Sequence, residues 1–288
     1  MANNVIKLGV LKLGCIGAAP LLDVLLDERA DRKDLEVRAF TSGAKLDTEA
    51  CSDPTASVVD YGPDLILIVS PNAGLAGPTN SRATIAAAGI PLITVSDGAS
   101  RMVFIKKDDT GKPVMSVPDG QGFFVLSSDP MIGARREFLD PSEMALFNAD
   151  VIKVLASTGV LRLVQNELDR VISDLEAGTT PRMPKLHVTP EKAVTAGEFS
   201  NPYAAAKALA ALKVAELVAT VTAEGCFAEQ DPTKYITLVA AGHEMMRAAA
   251  HLADEARELE KAGDTVVRTP HSSAGVRLTK SRLADKPI

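Results

Sequence analysis

The sequence predicts an α/β protein in which an N-terminal parallel, Rossmann-like sheet with helices is followed by a C-terminal helical bundle. In the first half, short apolar runs alternate with small-residue loops and helical stretches, an order typical of βαβ units. In the second half, apolar residues recur at every third or fourth position, as they do in helices with one buried face. At 288 residues the chain is long enough for both parts.

Five apolar runs are predicted to form the strands of the sheet. Each run is nearly continuous in hydrophobic residues, which favours a parallel sheet that is buried on both faces. The runs span residues 5–11, 35–40, 65–69, 92–95 and 123–126. The charged stretch 101–117, with its Thr110-Gly111 turn, is predicted to form an exposed hairpin or an irregular excursion before the last of these strands.

Capping residues followed by proline mark the helix starts of the second half. The cap side chain accepts a hydrogen bond from an amide of the first turn, and proline has no N–H to leave unpaired there. The four pairs are Asp140-Pro141, Thr189-Pro190, Asn201-Pro202 and Asp231-Pro232. We therefore divide the chain into a cofactor-binding α/β domain, 1–140, and a helical domain, 141–288. Within the latter, 178–184 is predicted to be a turn-rich linker and 269–288 a basic, exposed tail.

Composition and motif searches exclude several classes of protein. A net charge of −6 provides no attraction to nucleic acid or to anionic lipid, and no apolar run approaches the ~20 residues of a membrane-spanning helix. A cytoplasmic protein is expected. Three widely separated cysteines match neither a disulfide framework nor a zinc site. Since His243-Glu244 is followed by Arg247 rather than histidine, the metalloprotease motif is incomplete, and we expect no metal.

The residues that follow the predicted strands are the first candidates for a ligand site, because ligands of open parallel sheets bind beyond the carboxyl ends of the strands. Gly14 and Gly17 either admit a phosphate or ring edge or form a tight turn, and Lys45 either pairs with a phosphate or is solvated. Thr41 and Ser42 stand where a nicotinamide site usually has an acid, which argues against ordinary NAD binding. The candidate cofactor-binding residues are Gly14, Cys15, Gly17, Ser42, Lys45, Ser70, Pro71, Asn72 and Gly98.

Several segments together resemble one enzyme family. Segment 129–140 contains paired arginines and acids that would also suit a structural hinge. Together with 25–32 (LLDERADR), 143–155 (EMALFNADVIKVL), 201–204 (NPYA), 253–258 (ADEARE) and 264–271 (DTVVRTPH), it resembles the coenzyme F-420-dependent methylenetetrahydromethanopterin dehydrogenases. The matching segments extend from the first strand to the tail.

This resemblance implies reversible hydride transfer between methylenetetrahydromethanopterin and the deazaflavin coenzyme F-420, without a metal, in the one-carbon metabolism of methanogenesis or methylotrophy. It implies small-molecule partners, a cleft between sheet and helices, and a homo-oligomer, a hexamer built as a trimer of dimers. The implied substrate-binding residues are Met131, Arg135, Arg136, Asn201, Tyr203 and His243.

Two carboxylates are candidates for the catalytic role. Hydride leaves a carbon between two nitrogens, so a cation develops there, and a nearby carboxylate would stabilise it. Asp97 and Asp129 both follow predicted strands. We therefore expect one or both of them to lie near the reacting carbon.

Two alternatives stay open at the level of sequence. The loop 12–17 reads KLGCIG, whereas the family pattern is KCGNIG, and segment 99–122 matches the family poorly. These departures, with Lys45, would also suit an NADP-dependent enzyme acting on the same or a related pterin. The second alternative is a non-catalytic pterin-binding homologue.

Overall fold

A sheet of parallel strands lies at the centre of the computed structural model, which describes residues 5–133, 135 and 137–288. The strands are β1 (Ile6–Lys12), β2 (Leu35–Thr41), β3 (Leu65–Ser70), β4 (Leu92–Asp97), β5 (Ile105–Lys107), β6 (Pro113–Met115), β7 (Gln121–Leu126) and β8 (Lys185–Val188). Six of them form the sheet in the order β2-β1-β3-β4-β7-β8, with every pair parallel. β5 and β6 form a hairpin, the first of the two forms predicted for segment 101–117. The predicted exposure of that segment is wrong at Phe104 and Ile105, which are buried.

Helices cover both faces of the sheet, as βαβ crossovers require. They are α1 (Ala18–Leu26), α2 (Thr48–Asp60), α3 (Ala76–Ala87), α4 (Arg101–Phe104), α5 (Pro141–Ser157), α6 (Val160–Glu176), α7 (Pro190–Gly197), α8 (Pro202–Ala223) and α9 (Pro232–Ala262). A 3-10 turn, Gly98–Ser100, precedes α4, and a π-helical turn, Glu224–Ala228, follows α8. The predicted fold class is confirmed.

Alternate residues of each central strand belong to different layers of the core. Leu65 and Leu67 of β3 pack in the large cluster that includes α1, α5, α6, α8 and α9, whereas Ile66 and Ile68 pack against Val58 of α2. All six residues of β3 are buried. The continuous apolar runs seen in the sequence therefore reflect burial on both faces, as expected of a parallel sheet.

All four predicted helix caps are confirmed. Asp140 accepts a hydrogen bond from Glu143 N at 2.8 Å and Asn201 accepts one from Tyr203 N at 2.9 Å. Thr189 and Asp231 act in the same way at the starts of α7 and α9. In each case proline occupies the first helical turn. Local sequence thus fixes where these helices begin.

The sixth strand, β8, was not predicted. Its four residues follow the 178–184 linker and pair with β7, from Phe123↔Lys185 to Leu126↔Val188. A strand this short has no periodicity of its own to detect, and only the exposed edge of β7 makes it a strand. A segment of the second half therefore completes the sheet of the first. The division into 1–140 and 141–288 stays a prediction.

The prediction that the tail is exposed is wrong at His271, which is 2% exposed. Its Nε2 lies 3.0 Å from Asp169 of α6 and its Nδ1 lies 3.1 Å from Glu28, beyond the end of α1. Gln165 also exchanges two hydrogen bonds with Thr269. Basic composition suggested solvent exposure, but the imidazole is buried between two carboxylates that are distant in sequence.

No single helix within the described residues is long and apolar enough to cross a membrane. α5 and α6 reach the required length and apolar composition only when they are taken together, and the pair is bent by 66°.

His271 provides a test of the tail contacts by pH. Burial lowers the pKa of His271, but the hydrogen bond and charge of Asp169 and the charge of Glu28 outweigh both burial and the nearby Arg32, so the pKa is raised above 6.5. A raised folded-state pKa stabilises the fold below the unfolded-state value, and this stabilisation is lost as the pH rises through the folded-state value. We expect His271→Gln to lower the free energy of unfolding by about 1–2 kcal/mol at pH 6 and by less at pH 9.

Urea unfolding of both proteins at the two pH values measures this difference. An equal loss at pH 6 and pH 9 would contradict a charged His271 in the folded state. His251, which is exposed on α9, provides the control, since His251→Gln should show no such dependence.

Candidate active site

The chain reverses its direction across the sheet at β1, whose neighbours are β2 on one side and β3 on the other. Ligands of open parallel sheets bind in a crevice at such a switch point, so the carboxyl edge beside β1 is the candidate crevice. Gly14, with φ +81°, lies where the loops meet: its N–H donates to Gly43 O at 3.0 Å. A Cβ on Gly14 would lie 3.0 Å from Leu46 Cδ2 and 3.1 Å from Pro71 Cδ. Glycine is required both by the backbone angle and by the lack of space.

A chain of hydroxyl groups connects β3 and β4 beside this crevice. Ser96 Oγ donates to Ser70 O at 2.5 Å and lies 2.6 Å from Ser100 Oγ, which accepts a hydrogen bond from Ala73 N at 2.8 Å. Ser70 Oγ is buried and has no partner among the described residues. An unpaired buried hydroxyl is unfavourable without a ligand or water. The end of β3 thus holds a buried hydroxyl group whose hydrogen-bonding capacity is not met by the described residues.

Asp129 attaches the end of β7 to the start of α1. Its Oδ1 accepts a hydrogen bond from Gly17 N at 3.0 Å, its Oδ2 accepts one from Ala18 N at 2.8 Å, and the residue is 0% exposed. A Cβ on Gly17 would lie 2.8 Å from Asp129 Oδ1 and 2.4 Å from Val151 Cγ1. Gly17 is therefore glycine because α1 must approach this carboxylate closely.

Asp97 lies near Asp129 and is also buried, with 4% of its surface exposed. Its Oδ1 accepts a hydrogen bond from Ala99 N at 2.9 Å and caps the turn that leads to α4. Burial raises the pKa of Asp97 to about 7. Burial, with the negative charge of Asp97 as a further cause, raises the pKa of Asp129 to about 8, although the Gly17 and Ala18 amides oppose this rise. The pair can therefore hold a proton near neutral pH.

At the β8 side of the carboxyl edge, a histidine of β8 lies beside the end of β7. His187 Nε2 lies 2.8 Å from Ser127 Oγ, and Lys192 Nζ donates to His187 O at 3.1 Å. Burial, followed by the positive charges of Arg101 and Lys192, lowers the pKa of His187. This imidazole is therefore neutral at pH 7.

The helical layer contains an aromatic cluster around His243, which is one of the predicted substrate-binding residues. His243 of α9 packs against the rings of Phe138 and Phe147, with centroids 4.6 and 4.7 Å away. Its Nδ1 lies 3.8 Å from Glu143, and its Nε2 is buried without a partner among the described residues. Burial lowers the pKa of His243. This apolar setting therefore favours a neutral histidine.

Comparison with known proteins identifies the family. The family model for methylene-5,6,7,8-tetrahydromethanopterin dehydrogenase matches residues 6–288. The F-420-dependent methylenetetrahydromethanopterin dehydrogenase of Archaeoglobus fulgidus is 53% identical over 283 residues, covering 98% of this chain and 99% of its own. The Methanocaldococcus jannaschii enzyme of the same name is 49% identical over 284 residues, with the same coverage. The chain belongs to the methylenetetrahydromethanopterin dehydrogenase family.

A solved structure in this family extends the agreement to three dimensions. An F-420-dependent methylene-tetrahydromethanopterin dehydrogenase in complex with methylene-tetrahydromethanopterin and coenzyme F-420 superposes with a TM-score of 0.91 and 41% identity. The match covers 99% of this chain and all of that one. The resemblance inferred from sequence segments is therefore confirmed for the family and for the fold.

Most of the predicted cofactor-binding residues lie along the carboxyl edge of the sheet. Gly14, Cys15 and Gly17 follow β1, with Cys15 exposed. Ser70 is the last residue of β3, and Pro71 and Asn72 follow it. Ser42 Oγ donates to Lys45 O at 2.7 Å in the loop after β2, and the Lys45 side chain is exposed. Gly98 follows β4. Their placement in one family fold is consistent with a ligand site, and the role of each residue stays a prediction.

The predicted substrate-binding residues do not all come together. Met131 lies near Asp97, and its carbonyl is 3.4 Å from Thr222 Oγ1, close to the end of α8. Asn201 and Tyr203 are at the other end of α8, roughly 30 Å away at 1.5 Å per residue. His243 lies in the aromatic cluster described above. These assignments therefore stay predictions for all of the residues, and Arg136 lies outside the described residues.

Arg135 makes contacts within the protein. Its Nε donates to Gly225 O at 3.0 Å, its Nη2 donates to Glu229 O at 2.8 Å, and its guanidinium lies 4.1 Å from the centre of the Tyr235 ring. These contacts attach the loop after β7 to the start of α9. A direct role in substrate binding stays a prediction.

Sequence reasoning missed Ser100, Ser127 and His187. Ser127 immediately follows the predicted strand 123–126 and could have been selected by the same strand-end rule. His187 gave no signal because β8 was not recognised as a strand. Among the residues that the structure describes, no group of three or more histidine, cysteine or acidic side chains is arranged to hold a metal ion.

The pKa of Asp97 leads to a prediction about stability. Since the folded-state pKa of about 7 exceeds the unfolded-state value of about 3.9, protonation stabilises the fold at low pH, and this contribution is lost as the pH rises through 7. An asparagine side chain at this position does not ionise and can still cap the turn. We expect Asp97→Asn to reduce the fall in unfolding free energy between pH 5 and pH 8 by about 2 kcal/mol.

Guanidinium unfolding across this pH range measures the effect. Asp47→Asn is the matched control, because Asp47 also caps a helix by accepting a hydrogen bond from Ala50 N but is exposed and has a lowered pKa. If both variants retain the wild-type pH dependence, Asp97 does not have the raised pKa.

Proposed function

We propose that this protein is an oxidoreductase that transfers hydride reversibly between methylenetetrahydromethanopterin and coenzyme F-420, giving methenyltetrahydromethanopterin. The observation that carries the proposal is the agreement over 99% of the chain with a family structure that is complexed with both compounds. The relatives that match over 98% of the chain are F-420-dependent as well. NADP dependence and loss of catalysis are therefore not favoured.

The crevice at the switch point suits the deazaflavin. Gly14 is buried where the loops after β1, β2 and β3 pack together, and the unpaired Ser70 Oγ lies at the end of β3. The coenzyme would supply the hydride acceptor. Its ring edge carries donors and acceptors that backbone amides and hydroxyl groups can match, and burial among these loops would exclude water from the transfer.

The protein's own contribution to the reaction is placement and electrostatics. Loss of hydride leaves a positive charge on the pterin carbon between two nitrogens, and a carboxylate in a dry site stabilises such a charge more strongly than it would in water. Asp97 and Asp129 are the buried carboxylates at this edge. Because their pKa values are raised to about 7 and 8, the pair can also hold or release a proton as charge develops.

We further propose a cytoplasmic homo-oligomer, a hexamer built as a trimer of dimers, that functions in the one-carbon metabolism of methanogenesis or methylotrophy. Exposed apolar side chains on α8, with Tyr203 76% and Leu217 58% exposed, support burial of that helix in a subunit contact. Such a contact would also bring Asn201 and Tyr203 close to a neighbouring subunit. Sedimentation of the purified protein tests the assembly.

The proposed activity can be tested directly. The purified protein is incubated with methylenetetrahydromethanopterin and, in separate reactions, with coenzyme F-420, NADP or no acceptor, while the absorbance of each acceptor is followed. We expect loss of the deazaflavin band only. Reduction of NADP would select the first alternative, and binding of the pterin without any turnover would select the second.

Asp129 is the residue whose removal we expect to affect turnover most. Asp129→Ala removes the carboxyl group and leaves the Gly17 and Ala18 amides without acceptors, so the loop after β1 is no longer held in place. We expect kcat to fall at least about tenfold while the far-ultraviolet circular dichroism is retained. Wild-type turnover in this variant would exclude the catalytic role.

Asp108→Ala is the matched control for this variant. Asp108 also accepts hydrogen bonds from two backbone amides, those of Thr110 and Lys112, but it is exposed at the tip of the β5–β6 hairpin. We expect the Asp108→Ala variant to keep the wild-type kcat. A similar loss in both variants would indicate a general structural effect.

A further inference from the structure

A cluster of basic and polar side chains lies at the ends of β4, β7 and β8, beyond the carboxylate pair. We call Arg101, Ser127, His187 and Lys192 the basic rim. His187 Nε2 is 2.8 Å from Ser127 Oγ, and Lys192 Nζ is 3.1 Å from His187 O. Gly98 packs against Ser127, since a Cβ there would lie 3.3 Å from Ser127 Oγ. Arg101 follows only three residues later and begins α4.

The two cations of the basic rim lack acidic partners. Within the described part of the chain, neither Arg101 nor Lys192 forms an ion pair, although both are exposed. Glu191, the acid adjacent to Lys192, pairs instead with Lys213 at 2.8 Å. In a chain whose net charge is −6, two uncompensated cations beside a half-buried histidine form a local field that attracts anions.

The neutral groups of the basic rim suit the same ligand chemistry. The positive charges of Arg101 and Lys192 help burial to lower the pKa of His187, which places both cations close to the imidazole. Neutral His187 and the Ser127 hydroxyl can each donate a hydrogen bond to an oxyanion. Fixed cations with adjacent neutral donors are typical of sites for phosphate or carboxylate groups.

The position of the basic rim relates it to the proposed reaction. Strands in a sheet are about 4.8 Å apart, so β8 lies roughly 10 Å from β4 and Asp97 along the same edge. A ligand whose ring reacts near Asp97 would reach this distance with an extended side arm. Binding energy from an arm remote from the reacting atoms can serve to position the ring.

We infer that the basic rim binds the anionic arm, a phosphate or carboxylate group, of one of the two ligands. This inference rests on the proposed function and adds the residues that recognise the arm. The arm belongs either to the deazaflavin or to the pterin, and direct binding measurements with each compound distinguish them.

The test uses Arg101→Gln, Lys192→Gln and the double variant of the full chain. Dissociation constants are measured separately for coenzyme F-420, by its fluorescence, and for methylenetetrahydromethanopterin, by calorimetry, at several salt concentrations. Loss of a charge-assisted hydrogen bond should weaken binding of one compound by about tenfold and reduce its salt dependence.

Two controls separate recognition from general effects of charge. Arg101→Lys keeps the positive charge and should restore most of the affinity. Lys261→Gln removes an exposed cation that pairs with Glu258 near the end of α9, and both affinities should stay at their wild-type values.

Unchanged affinity and salt dependence for both compounds in the double variant would overturn the inference, even if the wild-type enzyme is active. Equal weakening by Lys261→Gln would also overturn it, because total charge would then explain the effect. If the wild-type protein binds neither compound, the proposed function and the inference fail together. Weakened binding of a single compound, restored by Arg101→Lys, supports the inference and identifies which ligand carries the arm.

Discussion

The hydrogen bonds from Gly17 and Ala18 to the carboxylate of Asp129 connect the loop after β1 to the loop after β7 at the carboxyl edge of the sheet. They join the start of α1, which follows the first strand, to the loop that leaves the last strand of the N-terminal half. Val151 of α5 packs against the same glycine, so the helical layer is fixed to this point as well. The crevice, the carboxylate pair and the helices of the second half are therefore positioned relative to one buried acid.

Burial of the Asp129 carboxylate costs free energy, and the neighbouring groups offset only part of this cost. A buried carboxylate loses its hydration, and the two amides at the start of α1 replace only part of it. The nearby Asp97 adds like-charge repulsion, so the pKa of Asp129 is raised to about 8. Stability would favour a neutral group at such a position. Retention of two acids here agrees with a functional need for negative charge or for a proton in a dry site.

The polar groups of this edge are arranged in sequence along the strands. Glycine backbone and the unpaired Ser70 hydroxyl lie at β1 and β3, the acids at β4 and β7, and the basic rim extends to β8. Such an order suits two ligands that meet near the acids and extend in different directions.

The sequence by itself determined five strands of the parallel sheet and the helix starts of the second half, because apolar periodicity and proline-linked caps are local properties. The resemblance of several segments indicated the family. It also located the strand-end residues, since every parallel strand ends at the same edge. Only the tertiary structure decided that Lys185–Val188 completes the sheet, that His271 is buried between Glu28 and Asp169 and that Asn201 lies far from Met131. Each of these depends on contacts between residues distant in sequence, which leave no periodic signal in the chain.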